Sequence, residues 1–245
     1  MQRSSLWALL TLAAALCTSA SAPTAHAQDG SALAFDDQYE TWFGGFFSGP
    51  IVGPLFTHSD VHYRGWDDLS PHWILVRPGL SLRLVDGMFV TLGYAWTPSW
   101  GARGAGRFAD EHRIWEQWMW EITDGPSAIR FQIRTRLEER FRSDAEVGMR
   151  LRQMLRLSVP LTPDRAFTFV VWDEAFFDLN DTTVTPYQRA GFGQNRLFFG
   201  FGWQAVPVTL RFEAGYFNQW IRRPGHDLGD AVNHTAMLNT YVGWR

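Results

Sequence analysis

The stretch "THSDVHYR", residues 57–64, carries the densest set of side chains able to do chemistry. His58, Asp60 and His62 alternate, the spacing at which a strand presents successive side chains on one face. Two imidazoles and a carboxylate so placed have the makings of a divalent-metal site, with His72 or His112 as a further ligand. Ser59, on the other parity, raises a different chemistry: a serine–histidine pair on the outside of a membrane-embedded lipid hydrolase. Ser59 and His58 are neighbours, so on a strand they point to opposite faces, and the histidine would have to come from another strand. The plain alternative is a group of polar residues near a strand end, and no short metal or cofactor motif accompanies them. "GARGAG", residues 101–106, resembles a phosphate loop but lacks the following Lys-Ser/Thr. His226 and His234 fall in a long polar segment and read as solvated.

The elements that would position these groups are legible in a second stretch. In "AIRFQIRTRLEERFRSD", residues 128–144, Arg130, Gln132, Arg134, Arg136, Glu138, Arg140 and Arg142 share one parity. Ile129, Phe131, Ile133, Thr135, Leu137 and Phe141 share the other, with Glu139 the intruder. Further on, Glu146, Arg150, Arg152, Arg156 and Ser158 oppose Val147, Met149, Leu151, Leu155, Leu157 and Val159. Upstream, Arg77, Ser81 and Arg83 oppose Val76, Leu80, Leu82 and Leu84, and Thr91, Gly93 and Ala95 oppose Val90, Leu92, Tyr94 and Trp96. Toward the C-terminus, Arg196 opposes Leu197, Phe199, Phe201 and Trp203, and Arg211 and Glu213 oppose Leu210, Phe212 and Tyr216. Period two marks strands whose faces meet different media. Ile129, Ile133, Leu137 and Phe141 also lie four apart, as on a helix. Phe131, Met149, Leu157 and Val159 leave that stripe and fit a pleat.

The N-terminus bears on the compartment. Arg3, an apolar run from Leu6 to Leu16 and small residues ending in Ala25-His26-Ala27 have the layout of a signal peptide, residues 1–27. The run is shorter than the ~20 residues a membrane-spanning helix needs. Cleavage removes Cys17, the single cysteine, and with it any disulfide, thiolate ligand or cysteine nucleophile. Residues 28–245 show no linker or change of composition and read as one domain. A net charge of −3 with no lysine offers nothing to nucleic acid. After the signal, no apolar run reaches the roughly 18 residues of a transmembrane helix.

Connection lengths alternate as well. Short ones fall near residues 85–87, 124–126, 163–164 and 206–207, and long polar ones at 97–110, 180–192 and 223–233. Only 143–144 is short where a long one is due. The reading is an all-β fold, an antiparallel transmembrane up-and-down β-barrel, set against a soluble β-sandwich. The arginines favour the barrel, being more than a soluble core could pair. On a barrel's lipid face each costs roughly 2–4 kcal/mol at the bilayer midplane. Inside, they can meet Glu121, Glu138, Glu174 and Glu213. Glu116 and Glu139, on the apolar parity, then belong near a membrane–water boundary. Trp96, Trp100, Trp118, Trp120, Trp203 and Trp244 suit aromatic girdles. About eleven strands can be marked, and since such barrels normally have an even number with both termini on the periplasmic side, twelve is favoured over ten. The choice turns on residues 31–47.

"EHRIWEQW", "RTRLEER", "RLRQMLRLSV", "QNRLFFGFGW" and "FEAGYFNQW" resemble successive blocks of an uncharacterised bacterial family, domain of unknown function 2490. Their common flavour is E-x-R-x-W-x-Q, here Glu111, Arg113, Trp115 and Gln117. The resemblance implies an outer-membrane barrel with an Arg/Glu-rich interior and no particular activity. Such barrels commonly end on an aromatic residue, whereas here Arg245 follows Trp244.

These readings converge on a porin-like barrel in the outer membrane of a Gram-negative bacterium, its partners the membrane lipids and the outer-membrane insertion machinery. No cofactor is expected, and no oligomeric state is read. The expected lumen-lining residues are Arg77, Arg83, Arg113, Arg130, Arg134, Arg136, Glu138, Arg140, Arg150, Arg152, Arg156, Glu174, Arg196, Arg211 and Glu213. A non-enzymatic role, in membrane integrity or in passage of small anionic solutes, stands first. A lipid hydrolase is the alternative.

Overall fold

Burial along the strands follows the two-residue period. The computed structural model describes residues 36–66, 68–100, 108–125, 128–143, 145–182, 188–224 and 229–244. Its strands are β1 (Asp36–Val52), β2 (Leu55–Trp66), β3 (Pro71–Arg77), β4 (Gly79–Val85), β5 (Met88–Trp96), β6 (Ser99–Trp100), β7 (Phe108–Ala109), β8 (His112–Thr123), β9 (Arg130–Phe141), β10 (Gly148–Pro160), β11 (Phe167–Asp178), β12 (Gly191–Val206), β13 (Leu210–Ile221) and β14 (Ala231–Gly243). The described residues are all β and turn. The signal segment, "GARGAG" and His226 lie outside them.

Each strand from β8 to β14 pairs antiparallel with the next. β5 joins β8, and β1 joins β2. β3 and β4 are one strand of the wall, interrupted at Pro78, which has no N–H to donate; both lie between β2 and β5. β6 and β7 form a small hairpin inside the long connection after β5. The wall therefore has eleven strands, between the expected ten and twelve.

The odd count has a topological consequence. β1 closes the barrel on β14 in parallel, Asp36 opposite Ala231 and Ser48 opposite Gly243. Within the segment 31–47, the described residues 36–47 do belong to a strand, as the twelve-strand reading required, but β3 and β4 share one place in the wall. Asp36 consequently lies at the rim that carries the long connections, and Gly243 at the rim of short turns. The described ends of the chain are at opposite rims, contrary to the expectation of a shared side.

On the outward parity stand Leu80, Leu82, Leu84, Leu92, Phe199 and Phe201, the last 61% exposed. On the inward parity Arg136 and Glu138 are each 1% exposed. A few polar groups share the outer face. Glu139 sits two residues from the long-connection end of β9, while Glu116 lies further along the wall, between Leu92 and Leu137. Asp173 accepts two hydrogen bonds from the Asn195 amide (3.1 and 3.0 Å), and Thr135 donates to Gln153 (2.7 Å).

Candidate functional site

The interior is built on the strand register. β9 and β10 place Glu138 opposite Arg150 and Arg136 opposite Arg152, so long side chains of both signs meet across one pleat. Glu138 accepts from Arg150 (2.6 Å) and Arg152 (2.6 Å), with Arg113 at 3.6 Å and Arg77 and Arg136 at 3.9 Å. Arg152 reaches from Glu138 to Glu174, which Arg134 also contacts at 2.7 Å and Arg196 approaches at 3.8 Å. Toward the short turns, Glu213 holds Arg156 and Arg211 and accepts from the Tyr241 hydroxyl.

The E-x-R-x-W-x-Q block is the inner edge of β8. Glu111 pairs with Arg113 (2.6 Å) and Arg140 (2.8 Å). Arg136 donates to Gln117 Oε1 and lies 4.5 Å from the centre of the Trp115 ring. Burial alone would push the Glu111 carboxyl up; Arg113 and Arg140 more than offset this and hold it well below the usual carboxylate range. At the same rim Gln188, from the connection after β11, is buried and accepts from Arg140 (2.9 Å).

Cations outnumber anions in this interior. Among the described residues, thirteen buried or cavity-lining arginines (Arg64, Arg77, Arg113, Arg134, Arg136, Arg140, Arg150, Arg152, Arg156, Arg196, Arg211, Arg222, Arg223) meet seven such carboxylates (Glu40, Asp60, Glu111, Glu138, Glu174, Asp178, Glu213). The half-buried Arg130 and Glu121 leave that difference unchanged. Of the expected residues, thirteen belong to this network. Arg130, at the start of β9, joins none of its ion pairs, and Arg83, though on the inward parity, is exposed near the rim. Arg83 instead lies over the Phe56 ring, 5.2 Å from its centre.

A cavity of about 590 Å3 remains between these groups. Arginines line much of it, but one flank is aromatic. Trp42, Val170, Phe198, Phe217 and Met237 form a buried cluster, with Trp73 and Trp172 packed against it. The interior is thus less polar than the arginine rows suggest.

His58, Asp60 and His62 do share the inner face of β2, and Arg64 continues their row. Arg77 donates to both Asp60 oxygens (2.9 and 2.7 Å), and His62 Nε2 meets the second at 2.6 Å. Trp42 Nε1, which can only donate, gives its hydrogen to His62 Nδ1 (2.8 Å). His62 is therefore held as the neutral Nε2–H tautomer with both nitrogens engaged. Among the described residues no group of three His, Cys, Asp or Glu side chains is arranged to hold a metal ion. Ser59, on the opposite parity, accepts from the Gly79 amide (3.3 Å) and shares a hydrogen bond with Thr57 (3.1 Å).

Arg64, Trp42 and Gln188 are among the interior residues that reading by pattern missed. Arg64 stood in plain alternation with His62, whereas Gln188 lies in a connection where no periodicity operates.

Fold and interior together define a class: a closed, mostly antiparallel β-barrel whose bore is crossed by arginine–carboxylate networks. The chain belongs to the family described as "Protein of unknown function (DUF2490)", which it matches over residues 39–230. It is also similar to an uncharacterized protein of Methylorubrum extorquens, with 32% identity over 196 residues, 78% of this chain and 82% of the other.

Proposed function

We propose that this chain is exported and inserted into the outer membrane of a Gram-negative bacterium, where its basic interior admits small anionic solutes without enzymatic turnover. The observation that carries the reading is the pairing of an apolar outer wall with a bore that holds more guanidinium than carboxylate groups. In water such a wall would leave large apolar areas exposed, which monomeric soluble proteins avoid. In lipid the same wall is solvated and the charges stay inside. Aromatic rings gather toward both rims: Phe167, Trp203 and Phe212 stack at the short-turn end, and at the other Phe192 stacks on Trp220 and meets Phe177 edge-on. That distribution supports interfacial girdles.

Barrels of about 8 strands are filled by side chains and those of 16–18 leave an aqueous channel. Eleven strands with a small residual cavity fit a narrow path in which the uncompensated positive field favours anions over cations. The test is conductance of the purified protein in planar bilayers under a salt gradient, with heat-modifiability of the band from outer-membrane fractions as the check on fold and location. A reversal potential favouring anions is expected. Absent conductance would leave a structural barrel, and cation preference would contradict the reading.

A further inference from the structure

The cations in this interior are not equally satisfied. Arg64 is 9% exposed and lines the cavity, yet among the described residues it makes no ion pair or hydrogen bond, and its buried Nε has no partner. Its guanidinium is held instead between two indoles, 3.6 Å from the centre of Trp42 and 4.6 Å from that of Trp73. The nearest carboxylate along the sheet, Glu40, accepts from Asn233 (2.9 Å) and forms no ion pair with Arg64. Arg196 approaches the same Trp42 ring, at 5.0 Å, and its one carboxylate contact is the 3.8 Å approach to the Glu174 already shared by Arg134 and Arg152. Both guanidiniums therefore lie near one aromatic ring at the edge of the cavity and short of anionic partners; Arg196 is met by the neutral Gln194 amide oxygen (2.8 and 3.0 Å), while the Arg64 Nε has no polar partner. A buried arginine without a partner is costly, and a ligand that supplies the missing charge offsets that cost.

We propose that the cavity is a binding site for an organic carboxylate with a flat apolar body, its carboxylate on Arg64 and Arg196 and its body against Trp73 and Trp172. This rests on the proposal that the interior is open to solutes, and names their class. The planar fork of arginine matches a carboxylate in two-point fashion. The cavity volume lies within the range of roughly 300–1,000 Å3 typical of small-molecule pockets, and apolar walls with a few convergent polar groups are their usual lining. Inorganic phosphate would meet the cations but leave the indole wall unused.

The experiment titrates the full barrel in detergent micelles with benzoate and 2-naphthoate, alongside inorganic phosphate and benzyl alcohol, reading tryptophan fluorescence and binding heat. Saturable binding of the aromatic carboxylates, tighter than that of either comparator, is expected. Arg64→Gln and Arg196→Gln should each weaken it about tenfold or more, the loss of one charge-assisted hydrogen bond, while Arg83→Gln binds as wild type. Should a glutamine variant fail to fold, shielding of tryptophan from iodide quenching by 2-naphthoate in the wild type reads the same contact. Equal affinity for phosphate or benzyl alcohol, no loss in folded Arg64→Gln, or no shielding overturns the proposal. Conductance of the same preparation separates the two readings. Anion selectivity without saturable carboxylate binding sinks the site alone, and loss of both sinks the permeation reading as well.

Discussion

Glu138 is the residue on which the interior network turns, because its carboxylate answers to five surrounding arginines. Glu138→Gln keeps the shape and removes the charge, leaving several buried guanidiniums undercompensated. The expected loss is about 3–5 kcal/mol, read as a lower urea midpoint for unfolding in micelles. Arg83→Ala, at the exposed rim, should change stability by no more than about 0.5 kcal/mol in the same assay. Glu111 gives the acid response. Its folded pKa lies below the unfolded value of 4.5, so its stabilisation is complete above that pH and is lost as pH falls toward the folded value. Melting temperature should drop below pH 4.5 in the wild type and less steeply in Glu111→Gln. Parity alone was enough to place most of the arginines inside, since charge alternation survives any choice of strand count. It could not tell which arginines would be paired. That depends on register between strands distant in sequence, as where Arg134 meets Glu174.

Among the strands, β5 shows how the wall accommodates its largest inward side chain. The indole of Trp115, on β8, lies against two glycines, and a Cβ at Gly93 would stand 2.4 Å from its ring. A Cβ at Gly79, on β4, would stand 2.7 Å from it. Gly93→Val must therefore displace the ring that packs on Arg136, and is expected to destabilise the barrel by about 1–3 kcal/mol as an overpacking change. Loss of the heat-modified band at a lower temperature than wild type checks it. The alternation that made β9 and β10 legible is absent from β1. Its inner face carries Trp42 and Phe46 and its outer face Phe43 and Phe47, so no parity could be assigned and the strand count stayed open. β11 to β13 hid their inward aromatics similarly, because Trp172, Phe198 and Phe217 sit in rows where the opposite face is aromatic too.

At the scale of the molecule, the parallel seam between β1 and β14 sets at which rims the first and last described strands begin and end. In a membrane-inserted barrel, an epitope placed before Asp36 should be reached from the same side as one inserted in the connection between β13 and β14. A tag after Trp244 should be reached from the other side. Antibody labelling of intact against permeabilised cells distinguishes this from the shared-side arrangement that an even count would impose. The sequence pattern conveyed the barrel class, since two-faced strands are a local property repeated along the chain. Direction of closure is a property of the total, and one strand more or fewer reverses it. The seam also governs how this polypeptide could be rewired. Linking Asp36 to Gly243 covalently would require a tether as tall as the cylinder itself, at about 3.3 Å per extended residue. A tether of that length lying along the wall would amount to another stave, and a circularly permuted version would thus have to be a different barrel.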